Sequence, residues 1–415
     1  IEVGGTVGDI ESLPFLESLR QMKVEAGKDN AVSVHVTLVP HISTAGEMKT
    51  KPTQHSVKDM REIGIQPDML ICRCDQPINK GLKEKISLFT NVPVNRVISA
   101  VDVACLYELP LVLHAEGLDD QLAEILNIWS RQPDLSEWER TVQRFHSAKG
   151  SVRIGIVGKY VHLKDTYKSL HEALVHGGLA NDVSVDFQYL DSESLEQGSR
   201  EAALTGLDAI LVPGGFGDRG VEGKIRAIQF ARENKVPFFG ICLGMQLAVI
   251  EYARNVCGLR GANSGEFDPN CEHKVIAFMK DQVGVEDKGG TMRLGAYPCT
   301  IRDASLAASV YGETHISERH RHRYEVNNAY RETLEQRGLS ISGTSPDGEL
   351  VEMVELPEHP YFIACQFHPE FKSRPTKPHP LFTRFVQAAK NRRDELLQSV
   401  KKEAEGSATS NSIVH

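Results

Sequence analysis

Apolar residues recur along the chain in short blocks, and polar stretches of helix length separate them. In the first third, SVHVTLVP (33–40), PDMLICR (67–73) and VNRVISA (94–100) have the length and branched-residue content of buried strands. Their alternation with helix-length segments predicts a parallel α/β sheet, because parallel strands need long crossover connections. From 131 to 150, RQPDLSEWERTVQRFHSAKG interrupts the pattern with charge, Pro133 and Gly150. This stretch is expected to connect two domains, with Trp129 and Trp138 able to anchor it.

The pattern then restarts. RIGIVGKY (153–160) predicts a strand, and YKSLHEALVHGGL (167–179) a helix with a glycine stop. Strand VSVDFQYL, strand DAILVPGGF, helix VEGKIRAIQFAREN and strand VPFFGIC follow, which predicts a doubly wound sheet. After about 270 the blocks become β-like, with a hairpin turn at Asp347 and Gly348 in SPDGEL. Beyond 392 the chain turns charged and then small and polar, which predicts a disordered tail. The expected division is therefore 1–130, a linker at 131–150, a second domain at 151–392 and the tail at 393–415.

Composition narrows the class. A chain of 415 residues is too long for one ordinary core, and 40% hydrophobic with 25% charged residues is a globular balance. The net charge of -9 speaks against a general nucleic-acid binder, and no apolar run reaches membrane-spanning length. Neither nucleic acid nor membrane is expected as a partner. Cys72, Cys74, Cys105, Cys242, Cys257, Cys271, Cys299 and Cys365 show no disulfide-framework spacing, so a reducing cytoplasm is expected. Cys72 and Cys74 alternate within a strand-like run and are read as packing. The opening IEVGGTVGDIES lacks Met and starts inside a strand-and-turn pattern, which suggests an N-terminally truncated domain.

The chemistry gathers around FFGICLGMQL (238–247). Most cysteines pack and do not react, so Cys242 decides nothing alone. It stands where a strand pattern gives way to a helical one, between Gly240 and Gly244, which permit a sharp turn that presents a nucleophile. A helix start also favours a thiolate and a nearby oxyanion. PGGFGDRG (213–220) ends the preceding strand, and a bare N–H there could join that of Leu243 in holding an oxyanion. GDRGVEGKI does not meet the G-x-x-x-x-G-K-[ST] phosphate-loop pattern. QFHPEF (366–371) places His368 and Glu370 two apart, on the same side of an extended segment. His368 can then take the thiol proton while Glu370 accepts from the other ring nitrogen. In ERHRHRYEVN (318–327), His320 and His322 alternate like metal ligands, but Arg319, Arg321 and Arg323 interleaved with them repel a cation; a carboxylate-binding or charge-paired strand is expected.

GICLGMQ, with PGGFG before it and FHPE after it, resembles the class I glutamine amidotransferases, which release ammonia from glutamine. The resemblance implies that Cys242, His368 and Glu370 are catalytic. It implies a glutamine pocket of Gly215, Leu243, Gly244, Met245, Gln246, Glu266 and Arg323, with Arg323 on the α-carboxylate.

EVGGTVGDIES (2–12), GEMKTKPTQHSV (46–57), ICRCD and GLDD (117–120) resemble the synthetase portion of the CTP synthase family. Lys49, Lys51 and Lys85 offer cations to a triphosphate, Thr53 and Gln54 offer hydrogen bonds, and Glu2 offers a carboxylate to Mg2+. By resemblance, Lys49, Thr50, Lys51, Pro52, Thr53, Gln54 and Lys85 bind UTP, while Asp9, Ile10 and Glu11 contribute to a site for inhibitory CTP. Val101, Asp102 and Val103 would touch ATP. The family would also bring GTP as activator and a homotetramer. The implied fold class is α/β with two doubly wound domains, a truncated P-loop-type synthetase domain and a class I glutaminase domain. The sequence shows no glycine-rich phosphate loop and no second carboxylate ahead of Glu2, so glutaminase activity alone is expected of this chain. A peptidase or glutamyl hydrolase on the same scaffold would have no use for the first domain.

Overall fold

The strand Met69–Cys74 lies centrally in a three-stranded parallel sheet, between Val34–Leu38 and Val97–Val101, and buries Leu70, Cys72 and Cys74 on one face while the other runs from buried Met69 to exposed Arg73. Val36 stands opposite Ile71, and Ile71 opposite Ile98. The computed structural model describes residues 1–44, 46–129, 131–159, 164–196, 201–278 and 292–410, and divides into units 1–143 and 144–415.

In the first unit, helices Lys51–Glu62 and Lys80–Thr90 bury Val57 and Ile86 with Leu70, Cys72 and Val97. The helix Lys80–Thr90 starts on Asn79, whose side chain accepts from Leu82 N–H. One expectation fails at Val34–Leu38, where Val34, Val36 and Leu38 face outward and His35 and Thr37 inward. Polar pairing explains the reversal. His35 bonds Ser56 at 2.8 Å, and Thr53 Oγ1 donates to Leu38 O at 3.0 Å and lies 3.1 Å from the Thr37 hydroxyl.

The stretch read as an irregular connection holds a helix, Ser136–Ser147, and the two units divide between Gln143 and Arg144. Glu137 and Glu139 in its first turn and Arg144 and His146 in its last complement the helix dipole, an electrostatic signal that outweighs the nearby Pro and Gly.

The second unit is built on a nine-stranded sheet. Five neighbouring strands run parallel, in the order Phe362–Cys365, Phe238–Ile241, Ala209–Val212, Ser151–Gly158, Ser184–Asp191. The antiparallel remainder runs Val351–Glu355, Ser340–Thr344, Arg293–Ile301, His315–His322. Period-two alternation sends Ile210 and Val212 to one layer, with helices Val221–Glu233 and Leu243–Asn255. Ala209 and Leu211 go to the other, with Lys168–Ala180 and the start of Pro380–Ser410. The turn at Asp347 and Gly348 joins Ser340–Thr344 to Val351–Glu355, with Gly348 at φ 77 and Asp347 Oδ1 accepting from Glu349 N–H at 3.0 Å.

The tail expected from 393 is helical as far as Ser410. NRRDELLQSVKKEAE is made largely of strong helix formers, and that propensity prevails over charge density. Tyr160, expected as the last residue of a strand, and residues 411–415 of the expected tail lie outside the described residues.

Candidate active site

The strand Phe238–Ile241 and the helix Leu243–Asn255 meet at Cys242, whose φ of 53 and ψ of -102 are rare for any residue with a side chain. Such a backbone costs on the order of 1–3 kcal/mol and persists only where neighbours impose it. Here Cys242 N–H donates to Cys365 O at 2.7 Å. A Cβ on Gly244 would come within 2.1 Å of Val212 O, and one on Gly240 within 2.9 Å of the Gly244 backbone. Only glycines let the turn close. Leu243 is the first helical residue, so its N–H has no acceptor within the helix and lies at the positive end of the dipole.

His368 reaches the same place from the neighbouring strand Phe362–Cys365. Its N–H donates to Arg319 O at 2.7 Å, and its Nδ1 lies 2.7 Å from Glu370 Oε1. The extended geometry expected for this pair is corrected, because Pro369–Phe371 forms a 3-10 turn that folds the carboxylate back onto the imidazole. Burial pulls the His368 pKa down, but hydrogen bonds to Cys242 and Glu370 outweigh it and raise it to about 10. With Nδ1 engaged by Glu370, the bond to Cys242 uses Nε2. The Phe371 ring stacks on the imidazole at 5.5 Å, and a Cβ on Gly214 would come within 2.8 Å of His368 Cε1.

A cavity of about 350 Å³ opens over this trio, lined also by Tyr167, Gly214, Gly215, Phe216 and Arg321. Of the residues implied for a glutamine pocket, Gly215 lines it and Leu243 packs beside Gly215. Gly244 serves the turn. Met245 is wholly buried in the core and Gln246 is turned inward, donating to Tyr324 O at 2.9 Å, so the structure brings neither side chain to the cavity. A helix that packs one face on a sheet must direct part of its first turn inward. Glu266 Oε1 accepts from Gly217 N–H at 3.1 Å. Glu266 and Arg323 both act on the Tyr324 hydroxyl, which burial and Glu266 push up and Arg323 pulls down.

Arg321 was missed. It stands on the outward side of His315–His322, where exposed and buried positions alternate, and lies over the Phe216 ring at 5.7 Å. The period-two pattern of ERHRHR carried that signal. Inward, His320 Nδ1 lies 3.1 Å from His322 Nε2 and 3.6 Å from Glu352, which pairs with Arg293 at 2.5 Å. Burial and then Arg293 push His320 down to about 2 and His322 to about 3. Among the described residues no His/Cys/Asp/Glu group is arranged to hold a metal.

In the first unit Lys49 pairs with Glu47, and Lys49 and then Lys85 hold the Glu47 carboxyl below its usual range, which groups two of the expected cations. Lys51 and Pro52 open the helix after Thr50, and Gln54 donates to Thr50 Oγ1 at 3.1 Å. Thr53 is fully buried, its hydroxyl engaged by Leu38 O and Thr37. Asp9 Oδ2 accepts from Thr6 N–H at 2.9 Å beside exposed Ile10 and Glu11. Val101 ends its strand, Asp102 N–H donates to Cys74 O at 2.9 Å, and Val103 follows, half-buried. Asp102 shares a cavity of about 200 Å³ with Leu38, His41, Arg73 and Asp75, outside the carboxyl ends of the parallel strands. Open α/β sheets bind ligands there. Glu2 is a single exposed carboxylate.

Comparison with known proteins gives the family of both parts of the chain. A model of the CTP synthase N-terminus matches residues 1–128, and one of class-I glutamine amidotransferases matches 162–388. A CTP synthase of Syntrophus aciditrophicus is 60% identical over 389 residues, covering 94% of this chain and 72% of its own length. The chain belongs to the CTP synthase family. A CTP synthase of Geobacter sulfurreducens is 59% identical over 396 residues, covering 95% of this chain and 74% of its own. Among solved structures, the Trypanosoma brucei CTP synthase glutaminase domain with bound acivicin superposes with a TM-score of 0.55 at 45% identity, covering 58% of this chain and 94% of that one. The CTP synthase reaction is the ATP-dependent amination of UTP to CTP with ammonia drawn from glutamine, a step of pyrimidine nucleotide biosynthesis.

Proposed function

We propose that Cys242, His368 and Glu370 form the glutaminase machinery of this CTP synthase. The observation that carries the reading is the strained Cys242 hydrogen-bonded to a histidine that Glu370 holds. Cys242 Sγ gives its proton to His368 Nε2 and attacks the side-chain amide carbon of glutamine. The oxyanion is held by the Leu243 N–H and an N–H of the Gly214–Gly215 loop. His368 returns the proton to the departing nitrogen, ammonia leaves, and a thioester remains. Water, deprotonated by the same imidazole, then releases glutamate. Arg323 and Glu266 offer opposite charges to the α-carboxylate and α-ammonium of glutamine.

In the first unit Lys49, Lys51 and Lys85 face the UTP phosphates, with Thr50, Pro52 and Gln54 shaping the approach, and Asp9, Ile10 and Glu11 belong to the region that senses CTP. Val101, Asp102 and Val103, beside the Arg73 cavity, meet the base of ATP. Mg2+ would supply charge neutralisation on the ATP phosphates, with Glu2 as a carboxylate that would hold it. One exposed carboxylate by itself makes no cage for the ion. GTP as activator, a homotetramer and a cytoplasmic setting complete the reading.

The test is glutamate release by Cys242→Ala beside the parent. A loss of about 10³-fold or more is expected, and retained glutaminase activity would sink the assignment.

A further inference from the structure

Gln366 precedes the His368 turn, is fully buried, and does not line the cavity. Its Nε2 lies 3.6 Å from Cys242 Sγ, and its Oε1 accepts from Gln246 Nε2 at 3.2 Å. The orientation of both amides follows from one fixed group. Tyr324 O is a backbone carbonyl and can only accept, so the end of Gln246 lying 2.9 Å from it is the NH2. That NH2 also faces Gln366, which must present its carbonyl oxygen there and therefore turns its own NH2 toward the sulfur. The Gln366 backbone is pinned as well, its N–H donating to Glu352 O at 2.8 Å. An amide so constrained is a pre-oriented donor, and a donor serves a thiolate better than a thiol, because hydrogen bonds to an ionised acceptor are the stronger ones.

We propose that Gln366 is a further catalytic residue of the glutaminase reaction, its side-chain N–H stabilising the Cys242 thiolate while Gln246 holds it in register. The chain of contacts, Tyr324 O to Gln246 to Gln366 to Cys242 Sγ, gives the inward-turned Gln246 a task that substrate contact does not. Arg321 O also lies 3.8 Å from Sγ and accepts from the thiol. A carbonyl favours the thiol form, so the amide supplies the donor that offsets it. The proposal rests on Cys242 being the nucleophile.

The experiment follows carboxamidomethylation of Cys242 by iodoacetamide, read on the Cys242 peptide by mass spectrometry from about pH 5 to about pH 9, where thiolate fraction controls the rate. The parent is compared with Gln366→Met, which keeps the length and removes the donor. The variant is expected to alkylate with its pH inflection moved upward and to lose about tenfold in glutaminase kcat. Its KM for glutamine stays within about twofold, since uniform substrate binding is untouched. Gln246→Met, which leaves Gln366 in place but frees its amide to turn, shifts the inflection in the same direction and decides the matter should Gln366→Met fold poorly. An unmoved inflection in a folded variant of either kind overturns the role of Gln366, even where activity falls. Loss of the parent reading is separate, since it would show as glutaminase activity surviving in Cys242→Ala.

Discussion

His368 Nδ1 lies 2.7 Å from Glu370 Oε1 across one 3-10 turn, with both side chains about nine-tenths buried. Replacing Glu370 by Gln should keep the turn but let the ring adopt the wrong tautomer. Glutaminase kcat is expected to fall about 10²-fold or more with little change in KM for glutamine. Steady-state kinetics check this, and a wild-type kcat would remove Glu370 from the machinery.

The same pairing makes stability depend on pH. His368 is raised to about 10 in the folded state, above the ordinary histidine value of about 6.5. Its contribution is therefore complete below about pH 6.5 and is lost as pH rises through about 10. Urea midpoints of the parent and of His368→Asn should differ most at about pH 6 and converge near pH 10. A gap that widens with rising pH would reverse the sign and contradict the pairing.

Glycine at 244 is imposed by backbone contact. Gly244→Ala would drive a methyl into Val212 O, with a separation of 2.1 Å, and is expected to destabilise by about 3 kcal/mol or more. Gly81→Ala in helix Lys80–Thr90 meets only Asn79 Oδ1 at 3.6 Å and should stabilise by roughly 0.5–1 kcal/mol. Denaturant titration of the two separates a close approach from an ordinary helical glycine.

Arg293 and Glu352 form a buried pair at 2.5 Å, beside His320 and His322 held neutral. Arg293→Met takes the cation from Glu352, whose carboxyl burial already raises to about 7 against the pull of Arg293, and should cost about 3–5 kcal/mol. The double replacement of both residues by Met should cost less than either single change. A double-mutant cycle of unfolding free energies measures it, and simple additivity would mean that the pair is not coupled.

Thr53 and Lys49 should separate stability from binding. Thr53→Val removes a buried hydroxyl bonded to Leu38 O and is expected to cost about 1–3 kcal/mol of stability. Lys49→Ala removes an exposed partner of Glu47, should shift stability by less than about 1 kcal/mol, and should weaken UTP binding. Equal effects of the two on UTP affinity in folded protein would contradict the placement of Thr53.

Much of the second unit was legible because its central strands Ala209–Val212 and Phe238–Ile241 are buried on both faces and Gly240 and Gly244 sit where backbones approach closely. The runs 153–159, 209–212 and 238–241 read as strands, and G-x-C-x-G marks the turn. Side-chain direction was less legible. FHPE fixes a spacing of two, but only the 3-10 turn turns that spacing into a hydrogen bond. LGMQ resembles a pocket lining, yet Met245 and Gln246 face the core, because helix phase against the sheet is a tertiary property. The polar inward face of Val34–Leu38 was hidden for the same reason: its partners, Ser56 and Thr53, arrive from a helix further along the chain.

Cys242 is the residue expected to carry the glutamyl group. Brief exposure of the protein to isotopically labelled glutamine, followed by acid quench and peptide mass spectrometry, tests it most directly. A glutamyl thioester is expected on the Cys242 peptide in the parent and in no peptide of Cys242→Ala. Label on another cysteine, or unlabelled Cys242 in protein that is releasing glutamate, would contradict it.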